Sequence, residues 1–206
     1  MSRPAAAALD RGLAQLGLPA GLAAPLLAYL DELVRWNAAY NLTAVRDPQQ
    51  MVTRHLLDSL AVLPYVRGRL LDVGAGAGLP GLVLALARPE LEARLIDSNG
   101  KKARFMRHAV RQLGLRNVEV LEGRVEALPD SPHDVIVSRA FAALGDFCRL
   151  TRHLLAPGGQ WLAMKGKLET QELAGLPADI TIRETHRLTV PGLQEDRHLV
   201  IATLRQ

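Results

Sequence analysis

The residues best placed to do chemistry in this chain are two carboxylates around a run of glycines. Asp72 stands two residues before Gly74, and Gly76, Gly78 and Gly81 follow in the same short stretch. Glycine lets the backbone turn tightly and lets a ligand approach where a Cβ would intervene. The stretch therefore reads as a cradle for a nucleotide or nucleoside. Gly76-Ala-Gly78-Leu-Pro-Gly81 also spells the dinucleotide fingerprint, a match that chance often supplies. Asp97 lies about 20 residues beyond the first glycines, where a carboxylate accepts both hydrogen bonds of a ribose diol. A nicotinamide dinucleotide and S-adenosylmethionine would use that position equally well.

Asp72 and Pro80 tilt the choice. A carboxylate at the strand end would repel a pyrophosphate and favour the cationic methionine end of a methyl donor, directly or through water. Pro80 removes an N–H that an anion would want. The other reading of Asp72 is a surface carboxylate that caps the loop. Arg139, at the end of a fourth strand, is a candidate for donor or target-base contact, against a solvated surface arginine. Phe141 is either a stacking partner for a base or a core residue. Lys165 and Arg124 are candidates for phosphate contact or plain surface residues, and Arg139 and Lys165 are the catalytic candidates. Lys101, Arg104, Arg107, His108 and Arg111 share one helical face, either a footprint for RNA or a solvated stripe. His55 and Asp58 lie one turn apart, but no third ligand has metal-binding spacing, so no metal is expected.

The elements that must position these residues fall into two blocks. Residues 1–66 read as a helical extension. Leu22, Leu26, Leu27, Leu30, Leu33 and Val34 recur at three- and four-residue steps, a helix expected to end near Trp36-Asn37. Asp47-Pro48 restarts a helix, as N-cap and first helical residue, that runs to about Leu63-Pro64. Residues 67–206 alternate strands and helices. Strands are expected at 70–73, 93–96, 118–121, 135–137 and 160–164, with helices at 79–88, 101–113 and 142–155, the last stopped by Pro157-Gly158-Gly159. Strands at 180–188 and 198–204 follow as an antiparallel pair. The expected fold is α/β: a mostly parallel, doubly wound, Rossmann-like sheet with an antiparallel C-terminal pair. Ligands of such sheets sit at the carboxyl ends of the strands, where Asp72, Asp97, Glu122, Arg139 and Lys165 fall.

Several segments together resemble one family: Trp36-Asn-Ala-Ala-Tyr-Asn-Leu-Thr43, Arg54-His-Leu-Leu-Asp-Ser59, Asp72 to Gly81, Asp97-Ser98, Arg124-Val-Glu126, Ser138-Arg-Ala-Phe141 and Arg197-His-Leu199. The chain is similar to the bacterial guanine-N7 methyltransferases of small-subunit (16S) ribosomal RNA, also called glucose-inhibited division protein B. The resemblance implies a class I methyltransferase fold, S-adenosylmethionine as donor and ribosomal RNA as partner, within a ribosomal particle. It also implies that Gly74 and Leu79 line the methionine end and that Gly76 and Gly78 shape the loop. Asp97 would take the ribose and Val125-Glu126 would flank the adenine, with Asp72 and Arg139 counted in the same donor site. Arg124, Lys165, Arg197 and His198 would meet RNA, and Arg54, His55 and Asp58 would brace the helical block. A nucleotide-dependent oxidoreductase and a methyltransferase of a non-RNA acceptor are the alternatives. Absent motifs agree with attack by N7: there is no Asn/Asp-Pro-Pro-aromatic segment for an exocyclic amine, and Cys148 follows Phe147 rather than proline.

Composition bounds the rest. The 206 residues are 49% hydrophobic and 22% charged, enough for a substantial core. The 25 basic residues exceed the 21 acidic ones, mildly favouring a polyanionic partner. One cysteine excludes an internal disulfide. With no membrane-length apolar run and no signal-peptide layout, a cytoplasmic monomer is expected.

Overall fold

The computed structural model describes residues 2–129, 131–139, 141, 143–166 and 175–205. Helix α1 (Arg3–Gln15) ends in a turn with Gly17 at φ +68°, and α2 (Ala23–Tyr40) follows. Helix α2 runs past its expected end because Trp36 stacks on Tyr40, their centroids 5.2 Å apart, and Asn41 stops it in a left-handed conformation. Packing here overrides weak propensity. Helix α3 (Pro48–Met51) is capped by Asp47, whose carboxylate accepts from the Gln49 and Gln50 N–H groups at 3.2 Å. A π-helical turn, Val52–Leu57, then leads into α4 (Asp58–Leu60).

The strands are β1 (Arg69–Val73), β2 (Glu92–Asp97), β3 (Val118–Glu122), β4 (His133–Ser138), β5 (Leu155–Lys165), β6 (Ile180–Arg187) and β7 (His198–Leu204). Their order is β3-β2-β1-β4-β5-β7-β6. The first five are parallel and β6 pairs antiparallel with β7, as the sequence suggested, and β7 is also antiparallel to β5. Helices α5 (Gly81–Ala87), α6 (Gly100–Gln112) and α7 (Leu144–Thr151) join them. Residue 142, the expected start of the last helix, lies outside the described residues. That helix stops early and β5 begins at Leu155. Pro157-Gly158-Gly159 lies inside the strand as an irregularity, where two residues along β4 face five along β5.

Side-chain alternation sorts the sheet into two faces. Leu70, Val135, Val137, Leu162 and Ile201 join α5, α6 and the helical extension in one continuous core. Leu71, Ile136, Trp161 and Ala163 pack with α7 on the other face. The extension is welded to the sheet: Tyr29 and Trp36 of α2 meet Phe105 of α6, and His108 bonds Glu32 at 2.7 Å. His108 and Arg107, which pairs with Glu122 at 3.1 Å, are thus engaged within the chain.

Candidate functional site

The alternation that builds the faces also aims Asp72. It shares parity with Leu70, so its side chain points toward α5 and has no exposed surface. Its Oδ2 accepts the Gly81 N–H at 2.7 Å. Asp72 thus braces the glycine loop from beneath, a cap as in the second reading but buried rather than at the surface, and its Oδ1 has no hydrogen-bond partner among the described residues. A Cβ on Gly81 would stand 2.8 Å from Asp72 Oδ2 and 2.8 Å from Leu95 Cγ. Gly81→Ala is therefore expected to lower stability by about 1–3 kcal/mol in urea unfolding, and a wild-type midpoint would refute the close packing.

Burial pushes the Asp72 carboxyl up to about 7, against the Gly81 N–H and the Arg139 charge. The unfolded carboxyl loses its proton near 3.8, so between these values the folded state holds the extra proton and stability falls as pH rises. His55 works in the opposite sense. Burial and Arg139 press it to about 4, so it adds stability as pH rises toward 6.5. The variant Asp72→Asn isolates the first effect: its stability relative to wild type should climb by a few kcal/mol between about pH 4 and 7. A flat difference across that window in urea titrations would show that Asp72 is ionised throughout.

Above the brace, the loop is tied to the end of β2. The Gly74 and Ala75 N–H groups donate to the Ile96 carbonyl at 2.9 and 3.1 Å, and the Gly76 N–H donates to Asp97 Oδ2 at 2.9 Å. Gly76 and Gly78 adopt φ +61° and +86°, which is the reason for glycine there. Tyr29 of α2 donates its hydroxyl to the Ala77 carbonyl at 2.7 Å, so the extension holds the loop from a third side.

A cavity of about 420 Å³ opens beside this loop, bordered by Gly74, Asp97, Arg124, Val125, Glu126 and Phe141. Asp97 also accepts the Asn99 N–H at 2.9 Å and faces Lys102 Nζ at 3.7 Å. Phe141 packs on Phe147, centroids 5.3 Å apart, while presenting a half-buried face to the cavity. Leu79, expected at the methionine end, is buried in the core. Arg124 lies at this cavity, apart from the other residues expected to meet RNA.

Those others gather in a second cavity of about 360 Å³, bordered by Arg54, His55, Asp58, Arg139, Lys165 and Arg197. Asp58 organises it. Its Oδ2 accepts from Arg139 at 3.3 Å and its Oδ1 from Arg197 at 3.1 Å. Burial raises the Asp58 pKa while both guanidiniums oppose the rise. Lys165 Nζ donates to the Phe141 carbonyl at 2.9 Å, which links a residue of the second cavity to one of the first. Arg139 belongs to the second cavity rather than the first. His198 sits beside it, its Nδ1 2.9 Å from the Gly166 carbonyl. His55 Nε2 meets the Thr43 hydroxyl at 2.9 Å. The π-helical turn carries Arg54 and His55, and such bulges recur at functional sites. Sequence reasoning weighed His55 and Asp58 as a metal pair, and it overlooked Lys102. Among the described residues no three of His, Cys, Asp or Glu are grouped to hold a metal.

Comparison with known proteins then decides the family. The family model described as GidB, rRNA small subunit methyltransferase G, matches residues 23–200. The chain belongs to this family. A ribosomal RNA small subunit methyltransferase G of Stenotrophomonas maltophilia is 58% identical over 200 residues, covering 96% of this chain and 94% of that protein. The corresponding family member of Chromohalobacter salexigens is 59% identical over 197 residues, covering 94% and 95%. Among solved structures, a SAM dependent methyltransferase from Aquifex aeolicus superposes with TM-score 0.58 at 20% identity, covering 76% of this chain and 93% of that one. TrmN from Thermus thermophilus superposes with TM-score 0.58 at 19% identity, covering 75% and 53%. These structures share the methyltransferase fold, as the sequence led one to expect of the family.

Proposed function

We propose that the chain transfers the methyl group of S-adenosylmethionine to N7 of a guanine in small-subunit (16S) ribosomal RNA. The observation that carries this reading is the second cavity, cation-lined and poor in bases. Both oxygens of Asp58 are taken by arginines, and His55 is held neutral with little affinity for a proton. Guanine N7 already offers an in-plane lone pair, so its methylation needs alignment and electrostatics rather than a general base. Arg139 and Lys165 supply donors for the base's O6 and for phosphates, and Arg197 and His198 extend that surface.

The first cavity fits the donor, whose sulfonium supplies the electrophilic methyl. Asp97 gives one lone pair per oxygen to Gly76 and Asn99, and a carboxylate accepts about four hydrogen bonds, which leaves capacity for a ribose diol. Val125 and Glu126, which border the cavity, would flank the adenine, Phe141 would offer it a ring face, and Gly74 would border the methionine end. The enzyme works as a cytoplasmic monomer on a ribosomal particle, without a metal. No helix among the described residues is long and apolar enough to cross a membrane. Incubation of labelled donor with unmodified small subunits, followed by mapping of the modified base, tests the reading. Label at guanine N7 is expected; label on an exocyclic amine, or none on RNA, overturns it.

A further inference from the structure

We infer a second nucleotide groove beside the acceptor cavity that receives the base next to the target guanine, with Arg54 set to take the phosphate between the two. This rests on RNA being the acceptor. A cavity of about 700 Å³ lies between the start of α3 and the loop joining β6 to β7, within the size range of small-ligand sites. Its walls carry Gln49, Gln50, Thr53 and Gln194. The three glutamines are exposed, and no described residue hydrogen-bonds their side-chain amides. Amides and hydroxyls both donate and accept, which is the repertoire that reads base edges.

Charge assigns the parts. Asp47 and Glu195 border the groove and disfavour a phosphate inside it, which leaves the base as occupant. Arg54 borders both this groove and the acceptor cavity, and it is a cation where the linking phosphate of a dinucleotide step would pass. Its guanidinium is held by Glu195 in a solvent-exposed ion pair. Such a pair is weak, so an incoming phosphate displaces Glu195 at little cost. The loop lies beside the π-helical turn: a Cβ on Gly192, at φ +77°, would meet Thr53 Oγ1 in van der Waals contact at 3.4 Å.

The test compares Gln49→Ala/Gln50→Ala and Glu195→Gln with wild type. All are assayed on unmodified small-subunit particles, with donor affinity by calorimetry and thermal midpoints by circular dichroism. The double variant should raise KM for particles about fivefold, moving neither donor affinity nor midpoint. Glu195→Gln should lower KM about twofold, because Arg54 loses its competitor. An unmoved KM in the double variant, or a raised one in Glu195→Gln, overturns the groove while leaving the acceptor assignment standing. A wild-type protein that methylates no RNA overturns both.

Discussion

Arg139→Ala is expected to lower kcat/KM on small-subunit particles by about a hundredfold or more, the scale of losing a donor aimed at the reacting group. The guanidinium borders the second cavity, 3.3 Å from Asp58 Oδ2 and 3.3 Å from the Arg54 carbonyl. Its removal also leaves Asp58, 3% exposed, with Arg197 alone. A stability loss of about 1–3 kcal/mol should accompany the kinetic one, so the variant is not structurally silent. Combining it with Asp58→Asn separates the roles. The neutral amide relieves the buried charge and should return part of the stability, while methyl transfer stays lost. Full turnover by Arg139→Ala would remove this residue from the site.

Asp97→Ala is expected to weaken S-adenosylmethionine binding by about 1–3 kcal/mol, roughly five- to 150-fold. Two effects add. The ribose loses its acceptor, and the Gly76 and Asn99 N–H groups lose the oxygens that order the loop and the start of α6. Asp97→Asn keeps one amide oxygen and should fall between wild type and alanine. Calorimetry on the three proteins reads the series directly, and an unchanged Kd would sink the ribose assignment.

The succession of strands and helices, and the strand ends as the place for a ligand, were legible because apolar runs and glycine turns are local signals; the order of strands across the sheet was not. The place of Asp97 at a strand end follows from that succession, whereas the roles expected of Gly74 and Val125-Glu126 came from the family resemblance. The burial of Asp72 was missed because its type and spacing were weighed without its parity. Counting from Leu70 would have aimed it at α5. Arg139 was found as a strand-end residue, but its partner was not. Asp58 lies some eighty residues earlier, on the far side of a π-helical turn that no periodicity announces. The groove at Gln49, Gln50 and Gln194 joins distant segments through a loop whose approach is set by tertiary packing. The extended end of α2 depended likewise on a Trp36–Tyr40 stack that propensity undervalues.

The hydroxyl of Tyr29 on the Ala77 carbonyl bears on how this architecture can change over time. The helices that precede the sheet share its core and hold its glycine loop, so they cannot be exchanged as a cassette. A chain cut at the change of architecture would uncover a face of buried leucines and valines and slacken the loop together. New acceptor preference in such a protein must arise by rewriting outward-facing positions of helices already in place. Swapping a recognition module would dismantle the catalyst it was meant to redirect.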